Sequence, residues 1–172
     1  MTTETTGQIT TTPTPDLGLS AANIQGVATL LARLLADEHV LYMRLRNYHW
    51  NIVGMAFGPL HALFQDQYEA LADDIDEVAE RIRMLGPSVP GTFTEMLQLT
   101  TLAEQPGDLP DDRGMLNQLV ADHEAIIRHL RNDIRASDEQ YDDVGTSDFL
   151  TGLMSKHEKM AWLLRAHIEQ RG

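Results

Sequence analysis

Residues 59–85 read PLHALFQDQYEALADDIDEVAERIRML, and the period of this stretch decides the fold. On a helical wheel with His61 at zero and about 100° per residue, seven apolar residues share one arc. Leu60, Phe64, Leu71, Ile75, Val78, Ile82 and Leu85 fall between roughly 240° and 320°. On the other side Gln65, Asp76, Glu69, Glu80 and Asp73 fall near ~40°, ~60°, ~80°, ~100° and ~120°. One face can pack a core, and another collects an imidazole and several carboxylates. Pro59 suits the first turn of such a helix, and Gly86-Pro87 stops it after Leu85.

The same period extends in both directions. Upstream, Ser20 can cap a helix running to about Ile52, with Ile24, Val27, Leu30, Leu31, Leu34, Leu41 and Leu45 on its apolar face. Gly54 and Gly58 separate it from the quoted helix. Downstream, Thr92 and Glu95 have the spacing of a capping box for a short helix ending near Leu102. A further long helix is predicted from about Asp111 to Ser137, with Leu116, Leu119, Ile126, Ile127, Leu130 and Ile134 three and four apart. An acidic connection, Asp138 to Thr146, leads to a last helix over roughly Ser147 to Gln170. Four long helices and a short one, without a convincing strand, predict an all-α four-helix bundle over residues 19–172. Residues 1–18, rich in Thr and Pro, read as a disordered tail.

Composition narrows the chemistry. The 172 residues carry a formal net charge of −13, which favours cations over nucleic acid as partners. There is no cysteine, so disulfides, thiolate catalysis and cysteine-held metals are excluded, and a metal would need His, Asp, Glu or neutral oxygen. No segment is apolar for long enough to span a membrane, and Met1 to Asp16, lacking Lys and Arg, does not read as a secretory signal. A cytoplasmic location, compatible with nucleoid association, is the expectation.

A solvated charged face is the plain reading of the acidic stripe. Two details favour a metal. Asp76 and Glu80 stand at i,i+4, where two carboxylates can converge on one ion, and His61 with Gln65 lies on the same stripe. His with carboxylates suits iron or manganese better than calcium. Yet His61 and Asp76 are 15 residues apart, about 22 Å on an unbroken helix at ~1.5 Å per residue, while metal–ligand bonds are near ~2 Å. Either these residues are unrelated, or two copies of the helix run antiparallel about a twofold axis, so that His61 of one faces Asp76 and Glu80 of the other.

The run Asn47-Tyr48-His49-Trp50-Asn51, followed by Phe57, Leu60-His61, Phe64, Tyr68 and Asp76-Glu77-Val78-Ala79-Glu80-Arg81, resembles the ferroxidase signature of the Dps family, the DNA-binding proteins of starved cells. The resemblance extends to the final segment His157-Glu158-Lys159 through Trp162-Leu163-Leu164-Arg165. It implies a ferritin-like bundle assembled as a hollow dodecamer. It also implies centres that oxidise Fe(II) with hydrogen peroxide or oxygen, and a shell that stores the ferric product and guards against oxidative damage. His49 and His61 would come from one subunit and Asp76 and Glu80 from its neighbour, holding two irons per centre, with zinc or manganese able to substitute. The family usually has a carboxylate where this chain has Gln65, so the second ion is expected to bind weakly or through water. Trp50 is expected either to pack an interface or to intercept radicals beside the iron. Asp143 and Asp148 are expected either in a solvated turn or in a threefold pore admitting iron.

Two further functions compete with this one. Nucleoid compaction with little ferroxidase activity is the alternative, but family members that bind DNA use basic tails, and this chain has no Lys or Arg before Arg33. A di-iron site within one bundle needs Glu-x-x-His, and none of the seven histidines has Glu three positions before it. His39, His123, His129, His157 and His167 read as structural or surface residues.

Overall fold

The computed structural model describes residues 15–107 and 109–169. Five α-helices occur in order: α1 (Ala21–Asn51), α2 (Phe57–Leu85), α3 (Phe93–Leu99), α4 (Asp112–Arg135) and α5 (Val144–Ile168). No strand occurs among the described residues. Residues 1–14 of the expected tail, and Gln170 at the expected end of the last helix, lie outside the described residues.

The helix ends follow local chemistry. The Ser20 side chain accepts the Asn23 N–H at 3.1 Å and starts α1. Thr92 and Glu95 form the capping box, with the Glu95 carboxylate accepting the Thr92 N–H at 2.9 Å. The short helix ends at Leu99, earlier than Leu102, because Asp37 takes the backbone that another turn would need. This buried carboxylate of α1 accepts from Thr100 Oγ1 at 2.8 Å and from the Thr101 and Leu102 N–H groups at 2.6 and 3.3 Å. After α4, one π-helical turn covers Ala136–Gln140, where an open acidic connection was expected. The last helix begins at Val144 instead of Ser147, because Asp143 caps it, accepting the Thr146 N–H at 2.9 Å.

Side-chain pairs fix the topology. The end of α1 meets the start of α2, so these two form an antiparallel hairpin. Arg33 bonds Asp133 and Arg44 bonds Asp122, so α4 runs opposite to α1. Gln67 reaches the Met160 carbonyl, while Arg81, farther along α2, reaches Thr146 near the start of α5, so α5 runs opposite to α2. Hence α2 and α4 point the same way, and the chain after α2 turns back along the bundle, carrying α3 against α1. The apolar arc of α2 supplies Leu60, Phe64, Leu71, Val78, Ile82 and Leu85 to one core shared with Leu31, Leu35, Leu41, Leu45, Leu119, Ile126, Leu130 and Leu150. Each such buried aliphatic or aromatic side chain contributes roughly 1.5–3 kcal/mol relative to exposure.

Candidate functional site

The α1–α2 hairpin brings His49, in the last turn of α1, against His61, near the start of α2. The rings stack with centroids 3.7 Å apart and an interplanar angle of 22°. Their backbones hold them reciprocally: His49 Nδ1 lies 2.8 Å from the His61 carbonyl oxygen, and His61 Nδ1 lies 2.9 Å from that of His49. A ring nitrogen facing a carbonyl must carry the hydrogen, so each imidazole donates from Nδ1, which leaves Nε2 as the ring atom able to bind a metal. Phe57 stacks on the outer side of His61 at 4.8 Å, and Tyr68 presents its edge to His49 at 5.3 Å. His49 is only 9% exposed, so this order is imposed by packing.

The carboxylates lie elsewhere. Asp76 and Glu80 are exposed on the same stripe of α2, which runs unbroken from Phe57 to Leu85, so about 22 Å separates Asp76 from His61 at ~1.5 Å per residue. Among the described residues no three His, Asp or Glu side chains gather into a group able to hold a metal ion. Within one chain the two imidazoles and the two carboxylates therefore stand apart. Gln65 is half-buried, and its amide nitrogen donates to Glu69 at 2.8 Å, which leaves its oxygen as the atom to offer an ion. Asp76 also borders an apolar groove of about 1000 Å³ between α1, α2 and α3, lined by Tyr42, Met43, Ile75, Phe93 and Leu97.

Tyr48, on the other side of α1 from Trp50, faces the core at 3% exposure, 6.4 Å from Phe64. Trp50 is 58% exposed. Asp148 is exposed on the first turns of α5. Asp143 is buried and committed, bonding Arg81 of α2 at 3.1 Å and the Thr146 backbone and hydroxyl. It therefore acts within the bundle as a cap and ion-pair partner, and not as part of a solvated turn.

Sequence reasoning passed over Arg46. Its guanidinium lies 4.7, 5.1 and 5.6 Å from the rings of Tyr68, Trp50 and Tyr42, and bonds the Tyr42 hydroxyl at 2.7 Å. Tyr42, Arg46 and Trp50 are four residues apart on one helix face, a spacing that could have revealed the cluster.

Comparison with known proteins follows the fold. The ferritin-like domain family matches residues 28–171. The chain is 46% identical over 157 residues to an uncharacterized low temperature-induced protein of Nostoc, covering 91% of this chain and 88% of that one. It is 34% identical over 145 residues to DNA protection during starvation protein 2 of Bacillus anthracis, covering 84% of this chain and 97% of the relative. Among solved structures it is similar to the Dps protein of Vibrio cholerae O1, described as a member of a broad superfamily of ferritin-like diiron-carboxylate proteins. The TM-score there is 0.84 at 32% identity, over 93% of this chain and 100% of that one. It is also similar to DpsC of Streptomyces coelicolor, with a TM-score of 0.88 at 26% identity over 98% of each chain.

Proposed function

Because the chain belongs to the Dps family of ferritin-like proteins, we propose that it takes up ferrous iron where two copies meet, oxidises it, and stores the ferric product inside a dodecameric shell. The observation that carries this reading is the pair of imidazoles whose Nε2 atoms are left bare by reciprocal backbone bonds, on the helix that bears two exposed carboxylates out of their reach. Antiparallel pairing of α2 about a twofold axis joins His49 and His61 of one copy to Asp76 and Glu80 of the other. The apolar groove beside Asp76 supports this contact, since burying it drives association.

Iron is the substrate. Two Fe(II) ions in one centre give one electron each, and the O–O bond of hydrogen peroxide accepts both and breaks to two hydroxides. Delivering the electrons as a pair avoids the hydroxyl radical that a single Fe(II) would release. Imidazoles with carboxylates suit a divalent ion and its trivalent product, since the carboxylates offset the charge gained. Gln65 supplies a neutral oxygen where the family commonly places a carboxylate, so one of the two ions is held less tightly. Oxygen can replace peroxide as acceptor, and zinc or manganese can occupy the centre without the same turnover.

Mixing two inactive variants tests the shared site. One carries His49→Ala with His61→Ala, and the other Asp76→Asn with Glu80→Gln. Each assembly alone is expected to leave Fe(II) unoxidised by peroxide, followed by near-ultraviolet absorbance. Co-assembled with random pairing, they regain about a quarter of the wild-type sites, because a mixed twofold contact holds one intact centre. Full activity in either variant alone, or no recovery in the mixed shell, would sink the reading.

A further inference from the structure

Deep in the bundle, away from the stripe of α2, Glu38 of α1, His123 of α4 and His157 of α5 have no exposed surface. His157 Nε2 lies 3.3 Å from Glu38 Oε1, and the His157 and His123 Nδ1 atoms are 2.9 Å apart. His123 Nε2 and Glu38 Oε2 find no partner among the described residues. Each of the two gaps holds one hydrogen, and a third proton fits on His123 Nε2. With three protons the unit is neutral overall, either as a carboxylic acid with two imidazoles or as a carboxylate, an imidazolium and an imidazole. A fourth proton has two places. On Glu38 Oε2 it leaves an imidazolium without a countercharge in the core, and in the His–His gap it sets two N–H groups against each other. Both are costly at zero exposure.

We propose that Glu38, His157 and His123 form one proton-sharing unit that fastens α1, α5 and α4 together while it holds three protons, and that a fourth proton taken up in acid unfastens them. The neighbouring charges are already partnered. From α2, Asp74 faces Glu38 and is bonded by Lys156 of α5, which also reaches Glu77. On the flank of α1 and α4, Arg44 pairs with Asp122, and Asp37 is held by Thr100 and Thr101. Burial pushes the Glu38 carboxyl up by more than its bond to His157 lowers it, which favours keeping the shared proton. Burial, and then the charge on His157, hold His123 well below the ordinary histidine value. A base depressed on folding binds its extra proton in the unfolded chain first. The stability that rests on His123 is therefore complete above about pH 6.5, the unfolded value, and is lost as pH falls below it toward the folded value. The raised Glu38 carboxyl has the opposite sign and weakens the fold as pH rises, in the wild type and in a His123 variant alike.

Two measurements on the full assembled chain test this. Urea unfolding of the wild type between pH 8 and 5 is expected to show an unfolding constant that grows, below pH 6.5, by up to about tenfold per pH unit more than in His123→Leu. Equal slopes overturn the proposal. Should His123→Leu fail to fold, deuterium exchange at the imidazole C2 position of wild-type His123 decides. An exchange rate without an inflection near pH 6.5 supports the unit, and a normal inflection there overturns it.

Discussion

Replacing Gln65 by Asp adds the carboxylate that the family commonly carries at this position. The change sets two negative side chains at i,i+4, the new carboxylate and that of Glu69, which costs roughly 0.2–0.5 kcal/mol in an isolated helix. A new charge beside a divalent ion outweighs that. Zinc titration calorimetry on the assembled Gln65→Asp protein is expected to show at least about tenfold tighter binding of the weaker ion, about 1.4 kcal/mol. An unchanged second affinity would mean that Gln65 is not a ligand. His61, Asp76 and Glu80 were legible as candidates from spacing, and His49 from the family resemblance. The carbonyl bonds that orient the two imidazoles were not, because they depend on two helix ends meeting and no local pattern encodes that approach. The burial of Asp143 was hidden for a similar reason: its ion-pair partner Arg81 is 62 residues away in sequence.

Among the elements, α1 and α5 carry the most informative joints. A Cβ on Gly26 would stand 2.2 Å from the Tyr141 ring, which packs on α1 just after the π-helical turn. Gly26→Ala gains about 1 kcal/mol of helix propensity but forces Tyr141 out, an overpacking cost of typically 1–3 kcal/mol. A lowered melting temperature is expected, restored by combining it with Tyr141→Ala. A Gly26→Ala protein more stable than wild type would show that Tyr141 is not held there. Asp143→Ala removes a helix cap and the buried partner of Arg81 together, and is expected to cost about 2–4 kcal/mol in urea unfolding. Asp143→Asn, which can still accept the Thr146 N–H, should cost clearly less. All five helices were placed within about three residues by apolar period and caps. The misplaced ends, at Leu99 and Val144, lie where a buried Asp captures backbone N–H groups: Asp37 reaches across the fold to Thr101, and Asp143, paired with Arg81 of α2, caps its own helix at Thr146.

For the molecule as a whole, the net charge of −13 opposes contact with phosphate backbones. No retardation of duplex DNA is expected in a gel-shift assay at physiological salt, and tight, salt-sensitive binding would restore the nucleoid alternative. The bundle class and its single core were readable because long helices repeat their signal every turn. The relative direction of α2 and α4 was not, since it is set by pairs such as Arg33–Asp133 and Arg44–Asp122, far apart in sequence. The returning segment between those two helices, exposed from Ala103 to Gly107, joins two hairpins that are each local in sequence. A chain divided at Gln105 would thus yield halves, α1 to α3 and α4 to α5, each with its own antiparallel pair and matching charges on the mating surfaces. Such fragments, produced together, should reconstitute the bundle as a split protein, with the joining strap serving to raise their effective concentration.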